Sequence, residues 1–238
     1  MTPLSERPTV DVVIPALDEE EALGAVIAAI PDTARRVIVA DNGSTDRTAE
    51  VAANAGAEVI REPERGYGAA CLAALAHLAA DPPDVVVFLD GDGSDDPSEL
   101  DLLLDPLRSG AALVIGSRTR GDSERGSLTA PQRVGNALAC RWIHWVYGER
   151  FSDLGPFRAI RWEALEALQM RDRNWGWTVE MQLAAARRGI PCAEVAVRYR
   201  NRRGGRSKVS GTIRGSVSAG AKILWLLTRE TLRPRTAS

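Results

Sequence analysis

Asp90 and Asp92 stand one residue apart at the end of a β-branched apolar run, Val85-Val86-Val87-Phe88-Leu89, and Asp95 and Asp96 follow. A run of that length reads as a buried central strand. Carboxylates crowded at its mouth raise each other's pKa unless positive charge sits between them. A divalent cation with hard oxygen ligands is the simplest neutraliser, and such an ion keeps open positions for a substrate phosphate. The chemistry expected here is a metal-dependent site for a nucleotide diphosphate. Other readings exist for the same loop. A solvated turn needs only its Asp, Gly and Ser content. A calcium hand would use Asp90, Asp92, Ser94 and Asp96, but Asp95 stands where that loop needs Gly and Asp101 where it needs Glu, and a strand precedes it. A phosphatase of the Asp-x-Asp-Gly-Ser type would use Asp90 as nucleophile and Asp92 as acid/base.

The rest of the chain must choose between them. Its 238 residues suffice for one large core, or one domain with an appended segment. A net charge of −2 argues against nucleic acid as a partner. The charge is uneven, with acids crowded at 90–105 and Arg and Lys dominant from Arg187 onward. Cys71, Cys140 and Cys192 form no metal-ligand or paired pattern, which places the protein in a reducing compartment, the cytoplasm. No signal peptide opens the sequence, and no apolar run approaches the ~20 residues of a membrane span.

The elements that must position the aspartates alternate regularly. A strand at Asp11–Ala16 precedes a helix expected from Asp18 to about Ile30, with acids in its first turn. A strand at Arg36–Asp41 leads through Asn42-Gly43-Ser44-Thr45-Asp46, a turn and cap, to a helix stopped by Gly56. Then come a brief strand at Glu58–Arg61, an alanine-rich helix from Gly66 to about Ala80, the 84–90 strand, a helix from Pro97 to Arg108, and a strand at Ala112–Gly116. This pattern predicts an α/β fold, a Rossmann-like, mostly parallel sheet with helices on both faces. Ligands in such sheets bind outside the carboxyl ends of the strands. Pro15–Glu19, Asp41–Ser44, Asp90–Ser94 and Ser117–Arg118 all fall there. Further on, 119–130 reads as a mobile loop, Pro131 to about Tyr147 as an amphipathic helix, Phe157–Ile160 as a strand and Arg161–Leu168 as a helix. Thr178 is expected to cap a helix ending at Gly189, Ala193–Tyr199 to form a strand, and 212–228 to form a last helix.

Pro15-Ala16-Leu17-Asp18-Glu19-Glu20, Asp41-Asn42-Gly43-Ser44-Thr45-Asp46 and Asp90-Gly91-Asp92-Gly93-Ser94-Asp95-Asp96-Pro97 resemble three successive motifs of family two glycosyltransferases. Gly116-Ser117-Arg118, Asp153-Leu154-Gly155-Pro156-Phe157-Arg158 and Arg202-x-x-Gly205-x-Ser207-Lys208 extend the likeness, from about residue 10 to 212, toward the dolichyl-phosphate mannose and glucose synthase branch. The resemblance implies a GT-A fold, a GDP- or UDP-sugar donor and an Mg²⁺ or Mn²⁺ ion. It implies that Pro15, Ala16, Leu17, Glu19, Asp41, Asn42 and Ser44 bind the nucleotide-sugar with Asp90, Gly91 and Asp92. It further implies that Asp90, Asp92 and Ser94 face the metal, and that Arg118, Arg202 and Lys208 lie near donor or acceptor phosphates. Ser94 stands where the branch commonly has Gln, Leu17 where an aromatic often stacks, and Asn42 in place of a second Asp, so the base is left open.

The expected division is a loose 1–9, a glycosyltransferase domain at 10–211 with a nucleotide-sugar half (10–118) and an acceptor half (119–211), and a C-terminal helix and tail at 212–238. The function expected is inverting transfer of a hexose to a polyprenyl phosphate. A hydroxyl acceptor is the alternative; it needs a carboxylate base, for which Asp153 and Glu180 are the candidates. A non-catalytic nucleotide-sugar binder and the phosphatase stand further off. The last helix, apolar and basic, would give peripheral contact with the inner face of the cell membrane.

Overall fold

The strands β1 (Val10–Ala16), β2 (Arg36–Asp41), β4 (Val85–Phe88) and β5 (Leu113–Ser117) are buried on both sides, which is why they read as apolar runs instead of alternating ones. The structure, a computed structural model, describes residues 4, 5 and 7–203. Among these, β3 (Glu58–Arg61), β6 (Arg158–Arg161) and β7 (Cys192–Ala196) complete a seven-stranded sheet of order β3-β2-β1-β4-β6-β5-β7. All neighbours are parallel except β6, which runs antiparallel between β4 and β5.

Side chains leave each strand to alternate faces. Val13, Ile38, Val86 and Phe88 enter one core with α3 (Tyr67–Leu78), α5 (Ala130–Tyr147), α6 (Trp162–Leu168) and α7 (Trp177–Arg188). Val12, Ile14, Val39, Val85 and Val87 enter the other with α1 (Leu23–Ala28), α2 (Thr48–Asn54) and α4 (Leu100–Arg108). Each such side chain gains about 1.5–3 kcal/mol from burial. A one-residue slip would exchange the two cores, so register is firmly set.

That register brings the carboxyl ends of β1, β2, β4, β5 and β7 to one edge. The antiparallel β6 adds its entry loop, 153–157, to the same edge. After β7 the chain bends back over it: Tyr199 bridges Asp95 and Ser123, and the backbone amides of Arg200 and Arg203 donate to the carbonyls of Ser94 and Asp92.

Several boundaries differ from the sequence expectation. The first helix begins at Leu23 with no acid in its first turn. Residues 18–20 instead tie β1 to the loop after β2: the Asp18 carboxylate accepts from the Thr45 amide at 2.8 Å, and the Glu19 amide donates to the Thr48 hydroxyl at 2.8 Å. Asp18 takes a left-handed φ of 49° to do so. Pro97–Glu99 form a 3₁₀ turn before α4, and the Asp96 side chain accepts from the Ser98 amide there. Thr178 does not cap α7. Gly176 precedes that helix, and its amide donates to Asp172 at 3.0 Å. β7 stops at Ala196 instead of Tyr199. The 119–130 loop is fastened, with the Glu124 carboxylate accepting from the Asn201 amide at 2.8 Å. Lys208 and the expected helix at 212–228 lie outside the described residues.

Candidate functional site

A cavity of about 550 Å³ opens where the strand ends converge, a size suited to a small-molecule ligand. Of the expected residues, Pro15, Ala16, Leu17, Glu19, Asn42, Asp90, Gly91, Asp92, Ser94, Arg118 and Arg202 line it. Asp41 and Ser44 stand behind the wall. Asp41 accepts from the Ser44 amide at 3.0 Å, and the Ser44 hydroxyl accepts from the Asp18 amide at 3.0 Å, so the pair shapes the loop beneath the lining. The Asn42 amide group does comparable work, donating to the Glu64 carbonyl at 2.7 Å and accepting from the Gly66 amide at 2.7 Å. An Asp at that position, as in the family the motifs resemble, would lack the donor.

Asp90 and Asp92 line the cavity, and the buried Asp95 lies beside them, its Oδ2 accepting from the Asp90 amide at 3.3 Å. Asp92 is buried; its Oδ1 accepts from the amide and hydroxyl of Ser94 at 2.9 and 2.5 Å, and its Oδ2 lies 2.9 Å from Arg202 Nη2. The other arm of Arg202 reaches Glu19 at 2.7 Å. Ser94, expected to face the metal, here donates to Asp92 through both its amide and its hydroxyl. Oδ1 of Asp90 is buried and has no hydrogen-bond partner among the described residues, and the same holds for Oδ1 of Asp95. Burial first, then the charge of Asp92, lifts the Asp90 carboxyl to about 7, against the lowering influence of Tyr67, Arg202 and Arg118. Burial and the charges of Asp90 and Asp92 push Asp95 up as well. Three carboxyl groups are thus packed together, two of them with an oxygen that has no hydrogen-bond partner among the described residues.

Arg118 and Asp153 form a forked pair. Asp153 Oδ2 accepts from the backbone N and Nε of Arg118, and Oδ1 from Nη2, each at 2.8 Å. The Leu154 amide adds a fourth bond at 2.8 Å. Burial works against the Arg118 charge, but hydrogen bonding and attraction from Asp153 outweigh it and hold the guanidinium above its ordinary range. The Arg118 guanidinium also lies over the Tyr199 ring, 5.0 Å from its centre.

Glu180 is likewise engaged. Its Oε2 accepts from the amides of Arg171 and Asp172 at 3.0 and 2.7 Å, ordering the loop that presents Trp175 to the cavity. Neither Asp153 nor Glu180 lines the cavity.

Four contributors were not among the candidate site residues. Tyr67, at the start of α3, stands beside Asp90. Tyr199 and Arg200 enter with the returning strand, and Arg200 pairs with Asp96 at 2.8 Å. Arg158, wholly buried, donates to the carbonyls of Gly155, Leu154 and Thr178 and so fixes the 153–156 loop; burial drives its pKa down to about 10. Arg158 is legible only as the last residue of the Asp153–Arg158 motif, whereas Tyr67, Tyr199 and Arg200 carry no sequence signal of their own.

Known proteins are similar to this chain. An uncharacterised glycosyltransferase of Mycobacterium tuberculosis is 43% identical over 210 residues, covering 88% of this chain and 94% of that protein. A dolichyl-phosphate hexose transferase of Haloferax volcanii is 34% identical over 227 residues, covering 93% and 95%. Among solved structures, glucosyl-3-phosphoglycerate synthase of Mycobacterium tuberculosis, in complex with Mn²⁺, UDP-glucose and phosphoglyceric acid, superposes with a TM-score of 0.74 at 25% identity, over 95% of this chain and 81% of that one. That superposition bears out the GT-A fold expected from the motifs. The pattern of glycosyl transferase family 2 matches residues 11–185, and on that match, with these relatives beside it, the chain belongs to that family and is a glycosyltransferase.

Proposed function

We propose that this glycosyltransferase moves one hexose from a GDP- or UDP-sugar onto a polyprenyl phosphate, with Mg²⁺ or Mn²⁺ held between Asp90, Asp92 and the donor's diphosphate. The donor half of the cavity supports this. Pro15, Ala16, Leu17 and Glu19 offer an apolar slot with one polar edge for a nucleoside, beside the carboxylate pair. The partnerless Oδ1 of Asp90 fits a cation. Among the described residues no group of three His, Cys, Asp or Glu side chains could hold one by itself. The two carboxylates therefore need diphosphate and water oxygens to complete the shell. The bound ion would neutralise charge gathering on the departing nucleoside diphosphate.

The chain's own residues do the rest. Arg202, already 2.9 Å from Asp92, is placed to meet a diphosphate oxygen, and Arg118 and Arg200 add positive charge to the cavity wall. The acceptor oxygen bonds to the anomeric carbon from the face opposite the breaking sugar–diphosphate bond, which gives inversion.

One observation carries the choice of acceptor. Beyond Glu19, Asp90 and Asp92, which this reading gives to the donor, no carboxylate among the described residues lines the cavity, whose other polar lining includes Thr129, Gln132, Thr178 and Asn201, while Asp153 and Glu180 are both engaged elsewhere. A hydroxyl acceptor needs a base to take its proton. A phosphate monoester is ionised near neutral pH and needs none. The Haloferax relative, named for a dolichyl-phosphate acceptor, points the same way. The soluble acceptor of the synthase relative, phosphoglyceric acid, is the second reading. The phosphatase and non-catalytic readings fall with the family assignment.

The test is a transfer assay with GDP-mannose and UDP-glucose, Mn²⁺, and either a short-chain polyprenyl phosphate or 3-phosphoglycerate. A glycosylated polyprenyl phosphate is expected. Transfer to phosphoglycerate alone would overturn the acceptor, and slow donor hydrolysis with neither would overturn both.

A further inference from the structure

α5 turns an unusual face outward. Val134, Leu138 and Trp145 are 59%, 61% and 79% exposed, spaced at helical intervals on the side opposite the buried Ala139, Cys140 and Ile143. Large apolar side chains stranded together in this way mark a contact surface. Trp142 and Trp145 meet edge to face at 5.8 Å, and Leu138, Arg141, Trp142, His144 and Trp145 bound a shallow groove. The charge is as unusual. The chain holds 32 acidic residues and a net charge of −2, yet the eighteen residues of α5 contain no acid and carry Arg133, Arg141 and His144.

We propose that this face of α5 docks on an anionic lipid leaflet. Tryptophan and leucine flanked by arginine, without acids, match a boundary that is apolar below and negative above. A protein partner or a second copy of this chain would not call for the exclusion of every acid from the helix. Position supports the same occupant. Thr129, which caps α5, and Gln132 in its first turn both line the catalytic cavity. The helix then runs about 27 Å away from that rim at 1.5 Å per residue. A leaflet against α5 would hold a lipid-linked phosphate at the cavity mouth. This last step rests on the polyprenyl-phosphate reading; the docking itself does not. Among the described residues no helix is long and apolar enough to cross a membrane, so the contact would be peripheral.

The experiment is co-sedimentation of the full chain with vesicles of phosphatidylcholine alone or with about one third phosphatidylglycerol. Binding to the anionic vesicles, weakened by salt, is expected. Leu138→Ser/Trp145→Ser should weaken it by about tenfold or more, as expected for removing two half-inserted apolar side chains. Arg133→Glu/Arg141→Glu should abolish the preference for anionic lipid. Both variants alter exposed positions and should melt as the wild type does. Unchanged sedimentation of both variants, or none by the wild type, overturns the docking surface. So does a dimer in solution that the first variant dissociates, since a second copy would then own the face. The two readings fail separately. Lost vesicle binding with intact transfer to a water-soluble short-chain polyprenyl phosphate refutes only the docking, whereas vesicle binding without any such transfer refutes only the acceptor.

Discussion

Replacing Asp153 by Asn separates a positioning role from a catalytic one. The carboxylate accepts three bonds from Arg118 and one from the Leu154 amide, and its side chain is 1% exposed. Asn keeps the shape, but it removes the charge and turns one acceptor into a donor facing a guanidinium. Breaking a buried pair by neutralising one partner costs about 3–5 kcal/mol, because the other charge is left stranded. Arg118 keeps 13% exposure to cavity water and the Tyr199 ring beneath it, which favours the lower end, about 3 kcal/mol. For a domain of this size each kcal/mol moves Tm by about 2–4 °C, so the variant should melt about 6–12 °C lower. A typical stability of about 5–15 kcal/mol leaves it folded. Calorimetry measures the melting, and turnover is followed across pH. With Asp153 in a positioning role, kcat falls through a misplaced Arg118 while the pH profile keeps its shape. Adding Arg118→Met should cost much less than its effect alone, since the stranded charge is gone. A variant that melts as the wild type does, yet loses about 10²–10⁴ in kcat together with the acid limb of its profile, would show that Asp153 is the base and that the pairing argument is wrong.

Asp90→Asn relieves repulsion from Asp92, so metal-free protein should melt a few degrees higher, on the order of 1 kcal/mol, while Mn²⁺ titrated calorimetrically with nucleoside diphosphate binds at least about tenfold more weakly. The Asp90 carboxyl is raised to about 7 from an ordinary 3.8. Between those values the folded state keeps a proton that the unfolded chain has lost, so metal-free stability falls as pH rises through that window and levels off above it. A cation with diphosphate prefers the ionised form, so the Tm gain it confers should grow from about pH 5 to 8; a gain independent of pH would contradict the site. Gly68→Ala would place its Cβ 1.9 Å from the Asp172 carbonyl oxygen, where the Gly68 and Ala69 amides bond the Asn174 and Arg173 carbonyls. Denaturant unfolding should register a loss of about 2 kcal/mol or more, and transfer assays a raised acceptor KM from the displaced Trp175 loop.

How far the sequence foretold this site depended on the range of each interaction. The alternation of elements, the strand mouths and the nearness of Asp90 to Asp92 are local, and all were legible: a buried strand must be apolar, and the two carboxylates one residue apart both reach the cavity. The first helix was misplaced because Asp18 and Glu19 have the composition of a helix start, yet their partners, Thr45 and Thr48, lie 27 and 29 residues on. Asp153 and Glu180 stand in the sequence as candidate bases because their partners are equally out of sight. A carboxylate in sequence has no visible partner, and the donors that occupy Asp153 come from Arg118, 35 residues earlier. The antiparallel β6 brings those residues together, since its reversal points the 153–156 loop at the same sheet edge as the end of β5. Had β6 run parallel, that loop would sit at the far edge and Arg118 would lack its anchor. The strand reversal thus sets Asp153 against Arg118, while Glu180 is held separately by the amides of Arg171 and Asp172; both placements fit the proposed acceptor, a phosphate that arrives already ionised.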